Sequence, residues 1–170
     1  MKRLLKILLT FGFLMGLSTT AAFANPLENK QAVGVYYILS ENPIGGLQYE
    51  YRFNNLISTK VDVFMYYDGK YREALNYNGN IELDITMDES MWKERYSSRL
   101  YAYILAGHTG NLYFGETPHQ QYDAVLSAGF GFDFTLFDHL SIPIQFGFLG
   151  TFPDNKSAGF CVGSGIRYSF

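Results

Sequence analysis

The chain has 170 residues and a formal net charge of −3; 18% of its residues are aromatic, and it holds 17 Gly but one Trp and one Cys. The lone Cys161 excludes an intrachain disulfide framework. The acidic balance leaves no basic run that could follow a phosphate backbone, which excludes a nucleic-acid partner.

The first element is a leader. Lys2, Arg3 and Lys6 form a positive n-region, Leu4 to Leu17 a mostly apolar stretch, and Ala22-Phe23-Ala24 a small-x-small cleavage signal. Residues 1–24 therefore read as a signal peptide for the general secretory route, and the mature chain is expected to begin at Asn25. The apolar run is short of the about 20 residues that a spanning helix needs. No Cys lies near the cleavage point, so no lipid anchor is expected. Removing 24 of the 170 residues leaves 146, one domain over 25–170, with 10 Lys+Arg against 16 Asp+Glu. An exported domain of this size without disulfides must draw stability from elsewhere, and burial in lipid is one source.

Turn signals at Asn54-Asn55, Asp68-Gly69, Asn78-Gly79 and Phe152-Pro153-Asp154-Asn155 divide the rest into strand-length pieces. They predict eight strands over 31–39, 44–53, 56–67, 80–87, 98–106, 122–136, 140–151 and 159–170. The two intervals 68–79 and 88–97 are hardest to divide. An alternative lets 71–77 continue into a strand, because Tyr71, Leu75 and Tyr77 keep the parity of Ile81.

Side chains of a strand alternate between faces, so a period of two separates an apolar from a polar face. Leu47, Tyr49, Tyr51 and Phe53 oppose Gln48, Glu50 and Arg52. Val61, Val63 and Met65 oppose Lys60, Asp62 and Phe64, and Ile81, Leu83, Ile85 and Met87 oppose Glu82, Asp84 and Thr86. In 98–106, Tyr101 and Tyr103 share the face of Arg99. Further on, Leu126, Phe130, Phe132, Phe134 and Leu136 oppose Asp123, Ser127, Gly129, Gly131, Asp133 and Thr135. Leu140, Ile142, Ile144, Phe146 and Phe148 oppose Ser141, Pro143, Gln145 and Gly147. The last strand sets Phe160, Val162, Ser164, Ile166, Tyr168 and Phe170 against Gly159, Cys161, Gly163, Gly165, Arg167 and Ser169.

A soluble barrel turns its apolar face inward, whereas a membrane barrel turns it to lipid. The apolar face here carries more aromatic bulk than the interior of eight strands can hold. The opposite face is rich in Gly and Ser, which suits a lumen that must also house Tyr36, Tyr66, Arg52 and Arg167. The pattern predicts an all-β, eight-stranded antiparallel up-and-down transmembrane β-barrel. Ten charges, Glu50, Arg52, Lys60, Asp62, Glu82, Asp84, Arg99, Asp123, Asp133 and Arg167, fall on the lumen face. They are expected to pair into a structural network that fills the interior, with Arg52, Arg99 and Lys60 neutralising Glu50, Asp62, Glu82 and Asp84.

The ending Gly165-Ile166-Arg167-Tyr168-Ser169-Phe170 resembles the C-terminal assembly signal of bacterial outer-membrane proteins. The runs 131–141 and 49–56 resemble periplasmic turns of small barrels of the OmpA-transmembrane or OmpX type. That resemblance implies an outer-membrane location and assembly by the barrel-insertion machinery, which reads Ile166, Tyr168 and Phe170. It also implies surrounding outer-membrane lipids, a monomer, and no peptidoglycan-binding domain after Phe170. Both termini are then periplasmic, with outer connections at 40–43, 68–79, 107–121 and 153–158 and inner ones at 54–55, 88–97 and 137–139.

No pattern of catalytic, metal-binding or cofactor-binding residues emerges, and no cofactor is expected. His139-Leu140-Ser141 is superficially similar to a His-x-Ser element of lipid A deacylases, but Ile142 stands where that pattern has Asn, and His139 falls in an inner turn. His108 and His119 are expected in the third outer loop with Thr109, Asn111 and Glu116, without a nucleophile beside them. The leading function is a non-enzymatic barrel serving membrane integrity or surface interaction. A lipid A acyl hydrolase-like enzyme and a small transport barrel are the alternatives.

Overall fold

The structure, a computed structural model, describes residues 29–39, 44–68, 74–113, 120–152 and 157–170. The expected leader at 1–24 and its cleavage signal lie outside the described residues.

Eight strands follow in chain order: β1 (Gln31–Leu39), β2 (Ile44–Arg52), β3 (Ile57–Asp68), β4 (Ala74–Lys93), β5 (Tyr96–Tyr113), β6 (Gln120–Leu136), β7 (Leu140–Phe152) and β8 (Ser157–Ser169). Each pairs antiparallel with its sequence neighbours, and β8 closes on β1 from Ala32↔Ser169 to Leu39↔Val162. Beyond β8, Phe170 and Gln31 exchange backbone hydrogen bonds of 2.8 and 3.3 Å. The result is the eight-stranded antiparallel up-and-down barrel that the alternation predicts. Closure is what permits these strands to lie in hydrocarbon, since an open edge there leaves backbone N–H and C=O groups unsatisfied. The short turns and both described chain ends lie at one end of the barrel, here the turn end; the opposite end is the loop end.

The alternation sorts as a transmembrane barrel requires. Val35, Leu47, Val63, Ile81, Ile104, Phe130, Phe148, Phe160 and Ile166 point outward and are exposed, while Glu50, Lys60, Asp62, Glu82, Asp84 and Arg167 are buried inside. Pro143 also faces inward, and having no N–H it cannot donate to β8. The β7–β8 ladder accordingly runs to Ser141↔Arg167 and resumes at Ile144↔Ser164.

The middle of the chain departs from the predicted strands. β4 and β5 are 20 and 18 residues long, not 80–87 and 98–106. Asn78-Gly79 is not a turn: Asn78 lies opposite Phe64 and Thr109, and Gly79 opposite Val63 and His108. With β3 on one side and β5 on the other, both ladders supply partners for this backbone, and the pairing overrides the local turn preference. The alternative that continued a strand into this region is closer, with Ala74–Tyr77 inside β4. The inner connection expected at 88–97 shrinks to Glu94-Arg95, because β4 runs on through register shifts between Thr86 and Asp88 and between Met91 and Lys93.

β3 begins opposite Ile85, with one further bond from the Thr86 N–H to the Leu56 carbonyl at 2.7 Å. The last residues of β4 thus pair with β5 alone, and the β4–β5 hairpin continues past the β2–β3 turn. It carries the exposed Met87, Met91 and Trp92. The turn after β6 places Phe137 and Asp138 at φ 54° and 68°, the pair of left-handed residues that a tight hairpin needs to match strand twist.

Candidate functional site in the lumen

Because lumen-facing positions recur every second residue on every strand, eight strands project their polar side chains at one axis. Four residues form a closed ring there. Arg99 from β5 binds Glu50 of β2 at 2.7 Å and Asp133 of β6; Arg167 from β8 binds the same two carboxylates, Glu50 at 2.7 Å. The two guanidiniums and two carboxylates balance. Beside the ring, Lys60 of β3 bridges Glu82 and Asp84 of β4 at 2.6 and 2.8 Å, and Asp84 lies 3.5 Å from Arg99. Lys60 and Arg99 also flank the Tyr101 ring, 4.2 and 4.7 Å from its centroid, a cation–π pair shielded from solvent.

Neutral side chains connect these groups to the remaining strands. Ser58 donates to Asp84 at 3.1 Å and accepts from Arg99 at 3.1 Å. Gln145 of β7 donates to Glu82 at 2.6 Å and accepts from the Tyr36 hydroxyl of β1. Gln48 of β2 accepts from Arg167 at 3.1 Å and donates to Asp62 at 2.7 Å. One continuous network of hydrogen bonds and ion pairs therefore touches all eight strands.

The residues predicted for the lumen are not all brought together. Glu50, Lys60, Glu82, Asp84, Arg99, Asp133 and Arg167 meet in the network. Asp62 is fully buried, yet it accepts from Gln48 and no cation among the described residues is within ion-pair reach, so the expectation that a base neutralises it is corrected. Arg52 sits at the turn-end mouth, where it pairs with Glu89 at 2.7 Å and not with the central acids. Asp123 is buried at the loop end of β6, opposite Thr109. Tyr66 falls in β3, and its side chain lies outside the described residues.

The alternation also left functional neighbours unnamed. Glu89 enters the lumen because the bulge after Thr86 inserts one residue and shifts the inward parity from even to odd. Gln48 and Gln145 already lay on the polar face, and their amides, which both donate and accept, link Arg167 to Asp62 and the Tyr36 hydroxyl to Glu82. Toward the loop end the lumen becomes apolar: Tyr36, Ile38, Phe64 and Cys161 form one cluster, and Tyr101, Tyr103, Leu105 and Val125 another, with Leu149 against both. The small residues on this face make room for those rings. A side chain at Gly131 would strike Tyr101, one at Gly147 Tyr103, and one at Gly163 Tyr36.

Small cavities remain in the lumen between the described residues. One of about 20 Å³ lies at the turn end among Glu50, Arg52, Glu89, Arg99, Asp133 and Arg167. Another, of about 10 Å³, lies among Tyr36, Asn80, Glu82, Tyr103, Ser127 and Gln145. Each has room for about one water.

The histidines stand apart from this network. His108 is not in a loop; it lies on the outer face of β5 with its ring edge-on to Tyr77, centroids 5.7 Å apart, and Thr109 and Asn111 are in the same strand. His119 and Glu116 lie outside the described residues. His139 stacks on Tyr168 at 5.3 Å with Nδ1 2.9 Å from the Ser169 carbonyl, while Ser141 is buried in the lumen, so the two do not form a nucleophile–base pair. Of the terminal residues, Ile166 and Tyr168 are exposed on the outer face.

No protein-family model matches the sequence, and no curated protein matches it. Solved structures do match. The N-terminal β-barrel domain of Pseudomonas aeruginosa OprF superposes with a TM-score of 0.63 at 10% identity, over 84% of this chain and 98% of that one. This chain has the fold of the small eight-stranded outer-membrane barrels. Outer membrane protein H (OprH) of P. aeruginosa, solved in DHPC micelles, superposes at 0.59 with 14% identity, over 83% of this chain and 99% of that one. At these identities the likeness is one of fold, and the lumen network is described from this chain's own residues.

Proposed function

We propose that this protein is a monomeric, non-enzymatic barrel of a Gram-negative-type outer membrane, exported by the leader at 1–24, whose role lies in membrane integrity or surface interaction. The observation that carries this reading is the network that joins all eight strands across the lumen and leaves water-sized cavities among the described residues. A conducting pore needs a continuous wet path, and this interior is occupied by side chains that are mutually paired. The turn end then faces the periplasm, the lipids of the outer membrane surround the apolar belt, and Ile166, Tyr168 and Phe170 are the residues that the insertion machinery reads.

Planar-bilayer recording of the refolded mature chain tests the reading. The expected result is no steady open-pore conductance, alongside an outer-membrane fraction in cells that resists unfolding in cold SDS and shifts mobility on boiling. A stable ion current from the wild-type chain overturns the plugged lumen and favours a transport barrel. Recovery of the mature chain as a detergent-free periplasmic species overturns the location.

A further inference from the structure

Two inward carboxyl groups of β4 meet on one ammonium. Lys60 Nζ lies 2.6 Å from Glu82 and 2.8 Å from Asp84, and all three side chains are fully buried. Among the described residues no second cation is free for this pair. Arg99 is 3.5 Å from Asp84 but is committed to Glu50 and Asp133, and Arg167 holds the same two acids. Asp62, two residues from Lys60 on the same face of β3, adds only negative charge. The other groups facing the pair are uncharged: Tyr36 of β1, Tyr101 and Tyr103 of β5, Gln145 of β7 and Cys161 of β8.

The oxygens of the pair divide in a matching way. Glu82 uses Oε1 for Lys60 and Gln145, and Asp84 uses Oδ2 for Lys60 and Ser58. Glu82 Oε2 and Asp84 Oδ1 are buried and lack a donor. The two carboxyl groups also lie within hydrogen-bonding contact of each other. Two ionised carboxylates have no hydrogen to place between them, and like charges at such a separation in a dry interior are costly. One proton removes both defects, since a protonated carboxyl donates as well as accepts.

We propose that Glu82 and Asp84 hold one proton between them at neutral pH, which makes their cluster with Lys60 electroneutral. The proton is then part of the plug: it lets β4 stay joined to Lys60 of β3 and Gln145 of β7 without net charge at this point of the lumen. Its loss at alkaline pH leaves two full negative charges on one ammonium, so base loosens the plug here first. The inference rests on the packing of the lumen and not on the cellular role, so it stands or falls separately from the bilayer recording.

The test is infrared spectroscopy of the refolded mature chain in deuterated buffer, in a zwitterionic detergent without ester groups. At neutral pH the wild-type barrel is expected to show the carbonyl stretch of a protonated carboxyl group. Glu82→Gln, whose amide can donate where the shared proton did, is expected to remove it, and Asp62→Asn to keep it. The folding equilibrium gives a second reading. Unfolded carboxyls ionise at roughly pH 4, so above that the folded barrel holds a proton that the unfolded chain has released. The wild-type folding constant should therefore fall more steeply with rising pH than that of Glu82→Gln, by about tenfold per pH unit until the pair ionises. A neutral-pH spectrum without a protonated carboxyl overturns the proposal. So does a band that vanishes in Asp62→Asn, or one that survives undiminished in folded Glu82→Gln. Should Glu82→Gln fail to refold, the Asp62→Asn spectrum decides: a persisting band supports the shared proton, and a lost one overturns it.

Discussion

Arg99 illustrates how much of this protein rests on single side chains. It contacts Glu50, Asp133, Asp84, Ser58 and Tyr101 at once, and replacing it leaves Glu50 and Asp133 to share Arg167 alone. Arg99→Ala and Arg167→Ala are each expected to destabilise by ~3–5 kcal/mol, read as the shift of the urea midpoint in detergent. Asp62 is the contrasting case, because no cation among the described residues forms an ion pair with it. Asp62→Asn keeps an acceptor for Gln48 and removes the charge, so it should cost nothing and stabilise by up to about 1 kcal/mol. A loss as large as that of Arg99→Ala would show that Asp62 takes part in the ion-pair network after all. Gly131 marks the space side of the same chemistry: a methyl there meets the Tyr101 ring, and Gly131→Ala should cost ~1–3 kcal/mol.

At the level of elements, the hairpin of β4 and β5 and the turn after β6 carry features that the barrel wall alone does not need. Trp92, the only Trp, stands exposed near the hairpin tip with its ring 6.1 Å from that of Phe134, and Tyr96 lies 5.6 Å from Phe137. Aromatic rings gather where hydrocarbon meets headgroups. Trp92 fluorescence should therefore be quenched more by a headgroup-attached quencher than by one at the bilayer centre, and the reverse order would place this hairpin elsewhere. In the β6–β7 turn, Asp138 occupies the left-handed region and its Oδ1 is buried without a donor. Its backbone carbonyl accepts from Asn29 at 3.1 Å and is kept on substitution. Asp138→Gly is expected to leave stability unchanged or raise it by up to about 1 kcal/mol.

For the whole molecule, the inside-out polarity sets the energetics. The side of the wall that faces lipid accepts no charge: Val63→Arg or Phe132→Arg should cost ~2–4 kcal/mol near the midplane, measured by unfolding from lipid vesicles. The lumen charges also oppose register slippage, since a shift of one residue turns every inward group of a strand to lipid. Closure ends at Phe170 and Gln31, which share two backbone bonds beyond the strand limits. Deleting Phe170 removes little buried area, so refolding into detergent should be nearly normal while the heat-modifiable form in outer-membrane fractions falls sharply. Normal assembly in cells would remove the recognition role assigned to this residue.

Much of this architecture is legible in the sequence because it depends on a local rule. Alternation at period two needs no partner strand, so the inward positions of Glu50, Lys60, Glu82, Asp133 and Arg167 can be read directly, and so can the outward belt of Val63, Phe132 and Ile166. The tertiary structure alone decided what depends on neighbours. Asn78-Gly79 reads as a turn until two flanking strands claim its backbone. Glu89 reads as loop until a bulge shifts its parity and sets it against Arg52. Which base meets which acid follows from the stagger at which eight tilted strands close, and that brings Arg167 and Asp133 onto Glu50 and Arg99 while leaving Asp62 with an amide. A periodic signal specifies a face; a contact across the lumen is specified only once the ring of strands is shut.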